Sequence, residues 1–164
     1  MLLDHKIALI TGAGQGIGKG IVEQFVKNGA IVYANDMREG SLDSFALDMK
    51  ERYDSAIVPV YFDVTDTTAV KAAIMRIKKE QGKIDVLVNN AGIMKDALIG
   101  MITQDTMRKT FDVNVFAVME ILQLSAKIMI RQNSGSIINI SSIVGVYGNR
   151  GQLVYSASKG AVIS

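Results

Sequence analysis

Short apolar runs alternate with helical periodicities along the chain. Ile7-Ala8-Leu9-Ile10 is an unbroken apolar run ending in glycines, the pattern of a strand buried on both faces. Ile17, Ile21, Val22, Phe25 and Val26 recur at helical spacing, and Asn28-Gly29 stops that helix. Ile31-Val32-Tyr33-Ala34 predicts a second strand, ending at Asn35-Asp36. Ser41 is placed to cap a helix running to about Arg52. Ile57 to Phe62 predicts a third strand, and its Pro59 places it at a sheet edge, because proline cannot donate to the ladder.

Asp66 or Thr67 is placed to cap a long helix carrying Val70, Ala73, Ile74 and Ile77, which stops near Gln81-Gly82. Ile84 to Val88 predicts the fourth strand and Ser136 to Ile140 the fifth. One helix, or two abutting ones, fills 103–131 between them, broken by Asn133-Ser134-Gly135. A last helix covers 152–164. This alternation predicts an α/β fold: a doubly wound parallel sheet between two helical layers, with right-handed crossovers. No repeat or linker interrupts it, so residues 1–164 are expected to form a single domain.

The first strand runs directly into Thr11-Gly12-Ala13-Gly14-Gln15-Gly16-Ile17-Gly18, where the first helix opens. A dinucleotide pyrophosphate needs a tight turn, close backbone approach and a helix N-terminus aimed at it. Glycine supplies the first two, so Gly12, Gln15, Gly16, Ile17 and Gly18 are candidate pyrophosphate contacts. The spacing T-G-x-x-x-G-x-G departs from the usual G-x-G-x-x-G, whose third glycine would fall at Ile17. Asp36, at the end of the second strand, is placed to accept both hydroxyls of an adenosine ribose and to repel a 2′-phosphate. That favours NAD as cofactor. Arg38, two positions on, is within reach of a phosphate and keeps NADP open.

The glycine turn, Asn89-Asn90-Ala91-Gly92, Asn114, Ser142 and Tyr155-Ser156-Ala157-Ser158-Lys159 occur in an order that resembles the short-chain dehydrogenase/reductase family. The resemblance covers nearly the whole chain and implies a Rossmann fold. The stretches 145–152 and 90–98 are similar to its 3-oxoacyl-[acyl-carrier-protein] reductases, a branch that serves fatty acid biosynthesis.

The resemblance implies a nicotinamide-dependent oxidoreductase passing hydride between the cofactor and a carbonyl/alcohol pair. The substrate is a small molecule, carried on acyl carrier protein in the branch just named. Tyr155 and Lys159 are four residues apart on a helix and share a face. A lysine ammonium beside a tyrosine helps it pass a proton to or from a carbonyl oxygen. Ser142 is assigned, over its neighbour Ser141, to hydrogen-bond the same oxygen.

Asn114 matches the asparagine that holds a water on the lysine's proton relay, and Lys159 also holds the nicotinamide ribose. Asp63 and Val64 are implied on the adenine side. Asn90, Ala91 and Gly92 line the cofactor at the fourth strand. A homodimer or homotetramer is implied. The alternative is a regulatory protein that keeps nucleotide binding without chemistry; the presence of Asn114, Ser142, Tyr155 and Lys159 together argues against it.

Composition removes other chemistries. Hydrophobic residues make up 49% of the chain and charged residues 21%, as in ordinary globular proteins. A formal net charge of +2 with scattered basic residues gives no nucleic-acid-binding surface. The absence of cysteine excludes disulfides, thiolate metal sites and a cysteine nucleophile. His5 is the only histidine, so no metal site is expected. The first residues lack a signal-peptide pattern, and no uncharged apolar run has membrane-spanning length, so a cytoplasmic location without a membrane partner is expected.

Most methionines, Met119 and Met129 among them, sit at core spacing. Members of the family continue past the Tyr155 helix with two more strands and a substrate-covering loop. The expectation is therefore a fold incomplete at its C-terminus, carrying the catalytic residues without the lid.

Overall fold

Three short strands are buried on both faces, which requires helices on both sides, and the chain supplies those helices in alternation. The computed structural model describes residues 1–53 and 56–164. Strands β1 (Ile7–Ile10), β2 (Ile31–Asp36), β3 (Ile57–Tyr61), β4 (Val86–Asn89) and β5 (Ser136–Asn139) form one sheet, all parallel, in the order β3-β2-β1-β4-β5. β3 lies at one edge, where Pro59 needs no ladder partner on its open side.

Alternate residues of β1 to β4 feed opposite cores, whereas all four residues of β5 are exposed. Ile7 and Leu9 of β1 and Leu87 of β4 join Val70, Ile74 and Ile77 of α3 (Thr67–Gln81) and Ile121 and Ile128 of α5 (Ala117–Arg131). Ala8 and Ile10 of β1 and Val86 and Val88 of β4 join Val22 and Val26 of α1 (Gly16–Lys27) and Phe45 and Met49 of α2 (Asp43–Arg52). This is the period of two expected of a strand with helices on both faces.

Helix boundaries follow local chemistry. Asp66 caps α3 by accepting from the amides of Thr68 and Ala69, and Gly82 closes it in the left-handed region. Ser41 does not cap α2, contrary to the sequence expectation. The helix begins at Asp43 after Leu42, and its first turn is held to the sheet by Tyr61, whose hydroxyl donates to Asp43 Oδ1 at 2.5 Å and accepts from the Leu42 amide. A short helix α6 (Val144–Tyr147) and a 3-10 turn at Ile99–Met101 are further elements the hydropathy pattern did not predict. α7 (Leu153–Ile163) ends the described chain.

The helix predicted over 103–131 is one continuous body with a bulge. α4 (Gln104–Phe111) passes through a π-helical stretch, Asp112–Phe116, into α5. Together they are long and apolar enough for a membrane span by length and composition. One side of this body packs against α3, α7 and β4, and 39% of its most apolar stretch is buried. Met129 fills the core as expected, whereas Met119 points out and is 61% exposed.

Candidate active site

From β1 the chain moves outward to β2 and β3, then returns to β4 on the other side of β1. The crevice beyond the carboxyl ends of β1 and β4 is the switch point where such sheets bind ligands. A cavity of about 690 Å³ opens there. The glycine turn forms one wall. Gly12 and Gly16 adopt positive φ, 64° and 55°, which few residues with a side chain tolerate. A Cβ at Gly12 would lie 2.8 Å from Ala91 Cα, and one at Gly18 would overlap the Gly12 carbonyl oxygen.

Helix α1 starts without a side-chain cap and without an acid in its first turn. Its amides and positive dipole end are therefore left for an anion. These features fit a dinucleotide pyrophosphate.

At the end of β2, Asp36 is 7% exposed and surrounded by donors. Its Oδ1 accepts from the Arg38 amide at 2.9 Å and from Arg38 Nε at 3.3 Å, and its Oδ2 accepts from the Gly14 amide at 3.1 Å. Burial works against the charged form. The Arg38 amide, the guanidinium and the Gly14 amide outweigh it, so the carboxyl lies below its ordinary range.

The opposite wall is the segment after β4. Thr11 fastens it to the turn: its hydroxyl accepts from the amides of Asn90 and Ala91, both at 3.0 Å. Asn90 answers by donating its side-chain amide to the carbonyls of Thr11 and Gly12 at 3.0 and 2.9 Å. Two residues on, Asn114 grips Ile93. Asn114 Oδ1 accepts from the Ile93 amide at 2.8 Å, and Nδ2 donates to the Ile93 carbonyl at 2.9 Å and to Ser158 Oγ at 3.0 Å. Asn114 is fully buried and sits in the π-helical stretch, as π-bulges at functional sites do.

Ser158 stands on α7 beside Lys159. Lys159 is 5% exposed, and its Nζ donates to the Ile140 carbonyl at 2.8 Å. Burial pulls its ammonium below the usual lysine range. The same Nζ lies 5.9 Å from the centre of the Tyr155 ring. A Cβ on Gly92 would lie 3.3 Å from Asn114 Oδ1 and 3.5 Å from Lys159 Nζ, so both groups face the end of β4. Ser141 donates its hydroxyl to the Lys159 carbonyl at 2.7 Å and is thereby committed. Ser142 Oγ only accepts, at 3.4 Å, from the Val144 amide, leaving its proton uncommitted among the described residues.

The cavity is lined by the expected Gly12, Gln15, Gly16, Ile17 and Gly18 on one side and Asn90, Ala91 and Gly92 on the other. Asp36, Asp63 and Val64 line its far end. Asn114, Ser142, Tyr155 and Lys159 lie outside that lining, on the α5, β5 and α7 side. Sequence reasoning missed Lys109, Asp112 and Val113, which also line the cavity. They stand at the end of α4 and the start of the π-helical stretch, whose placement depends on packing against α7. It also missed the part of Thr11, whose position directly after a buried strand was the available signal.

The topology, glycine cradle and acid at the end of β2 define a nucleotide-binding Rossmann domain. The sequence profile of the short chain dehydrogenase family matches residues 6–164, and the chain belongs to that family. It is 41% identical over 163 residues to the 3-oxoacyl-[acyl-carrier-protein] reductase FabG of Thermotoga maritima, covering 99% of this chain and 66% of that protein. It is 40% identical over 163 residues to the 3alpha-hydroxysteroid dehydrogenase of Mediterraneibacter gnavus, covering 99% and 65%. A crystal structure of NAD+-bound xylitol dehydrogenase superposes with a TM-score of 0.94 at 30% identity, covering 99% of this chain and 63% of that one. The chain thus spans just under two thirds of the length of these relatives.

Proposed function

We propose that residues 1–164 are one nucleotide-binding and catalytic domain of an oxidoreductase that passes hydride between nicotinamide and a carbonyl/alcohol pair. The observation that carries this reading is the placement of Tyr155 and Lys159 on α7, with the lysine Nζ 5.9 Å from the tyrosine ring and turned toward the end of β4. When bound, the nicotinamide supplies or takes the hydride. Tyr155 gives its phenolic proton to the carbonyl oxygen during reduction and recovers it in the reverse direction. Ser142, whose proton is uncommitted, donates to the same oxygen and holds it in place. Lys159 keeps a proton donor beside the tyrosine and binds the nicotinamide ribose. Asn114 orders the Ile93 backbone and Ser158 around that lysine.

Asp36 favours NAD over NADP, because a buried carboxylate held ionised accepts ribose hydroxyls and repels a 2′-phosphate. Asp63 and Val64 flank the adenine. For the substrate we favour a 3-oxoacyl group carried on acyl carrier protein, supported by the names of relatives at 41% and 36% identity. A cytoplasmic homodimer or homotetramer accords with that reading.

The test is Tyr155→Phe, assayed for NADH and NADPH oxidation against a panel of 3-oxoacyl thioesters and simple ketones. Turnover falls by at least about a hundredfold, the usual worth of a positioned general acid, while NADH still binds. Turnover that survives in the variant rejects the mechanism. Nucleotide binding without turnover on any substrate in the longest natural form of the protein favours a regulatory role instead.

A further inference from the structure

Gly12 and Gly16 have positive φ, but Gly14, between them, does not. Its backbone suits any residue, so the missing side chain at 14 matters for space alone. That space belongs to Asp36. A Cβ at Gly14 would overlap Asp36 Oδ2 and lie 2.8 Å from Asp36 Cγ and 3.3 Å from Arg38 Nη2. The Gly14 amide is also the only described donor to Oδ2. We propose that Gly14 is a specificity-determining residue of the nucleotide site: by ceding its side-chain space it lets the Asp36 carboxylate lie under the turn as the ribose acceptor. This rests on the nicotinamide reading above and extends it to a residue that the T-G-x-x-x-G-x-G spacing leaves unspecified.

A carboxylate has about four acceptor positions. Two on Oδ1 are taken by the Arg38 amide and guanidinium, and one on Oδ2 by Gly14. One position is open. A ribose diol needs two, and the bond that yields is the longest, Arg38 Nε at 3.3 Å. A side chain at 14 drives Oδ2 out of this arrangement and unseats the arginine with it. The diol then loses its acceptor, while a freed guanidinium suits a 2′-phosphate.

The experiment titrates NADH and NADPH by fluorescence onto the parent, Gly14→Ala, Asp36→Ala and the double variant, with thermal melts alongside. Gly14→Ala is expected to weaken NADH about tenfold, the worth of one charge-assisted hydrogen bond, and NADPH less or not at all. In the Asp36→Ala background the same substitution is expected to have no further effect, because its target is gone. An equal loss for both nucleotides, or a loss that persists without Asp36, overturns the proposal. If Gly14→Ala fails to fold while the double variant folds, the clash through Asp36 is upheld; if both fail, it is rejected. A parent that binds neither nucleotide removes the nicotinamide reading itself, an outcome distinct from an unmoved ratio in a parent that binds.

Discussion

Replacing Asn114 with alanine tests whether the site's geometry is held by the buried amide. The side chain is fully buried and makes three hydrogen bonds: one from the Ile93 amide, one to the Ile93 carbonyl and one to Ser158 Oγ. Ser158 keeps its own donation to the Tyr155 carbonyl at 2.7 Å, so it is not orphaned. Ile93 is half-buried, and water reaches its freed groups at part of the usual cost.

Three bonds at roughly 1 kcal/mol each come to about 3 kcal/mol lost. For a chain of this size that lowers the melting temperature by about 6–12 °C. Urea unfolding at constant m reads the loss directly. A loss below about 1 kcal/mol at unchanged m refutes the clamp.

Asn114→Asp sharpens the test. A carboxylate keeps the acceptor for the Ile93 amide but sets a second oxygen against the Ile93 carbonyl. Only the protonated acid donates there, so burial and this contact raise its folded pKa against the opposing pull of the Lys159 ammonium, which faces the same end of β4. The variant is then most stable below the unfolded aspartate value and loses stability as pH rises through the folded one. A flat pH dependence relative to the parent contradicts the geometry.

Lys159→Met removes a buried ammonium whose only described hydrogen bond is to the Ile140 carbonyl, and is expected to leave folding stability unchanged or raise it by about 1 kcal/mol while abolishing turnover. A melt showing marked destabilisation contradicts this. Asp85 is buried, which alone raises its carboxyl, but Lys83, the Ile7 amide and Lys6 outweigh burial and hold it below its ordinary value. Its stabilisation is therefore present above pH 3.8 and lost as pH falls through the lower folded value. Asp85→Asn is expected to narrow its stability gap to the parent in acid, as urea titrations at neutral and acid pH will show.

Much of the fold was legible because a doubly covered parallel sheet imprints itself twice, as unbroken apolar runs and as helical periodicity between them. The edge place of β3 followed from Pro59, and the stops of α1 and α3 from Asn28-Gly29 and Gly82. What escaped depends on contacts distant in sequence. Ser41 is a good cap by type, but Tyr61 fixes where α2 begins. The π-bulge leaves apolar spacing nearly intact, so nothing local announces it. Met119 has core spacing yet faces outward, since periodicity gives a face but not what covers it. Ser141 and Ser142 are indistinguishable as sequence; one bond to the Lys159 carbonyl separates them.

The segment Asn90–Ile93 joins these findings physically. It is irregular backbone lining a cavity, and its polar groups must find partners or cost stability. Thr11, one donor and two acceptors by nature, spends both acceptor positions on the Asn90 and Ala91 amides. Asn90 ties the same segment to the glycine turn, and Asn114 ties its far end to α7. The glycine turn and the helix that carries Tyr155 and Lys159 are thus fastened to opposite ends of one four-residue strip. A shift of either by an ångström breaks hydrogen bonds of this strip, which is how irregular backbone comes to be held rigidly between the two elements.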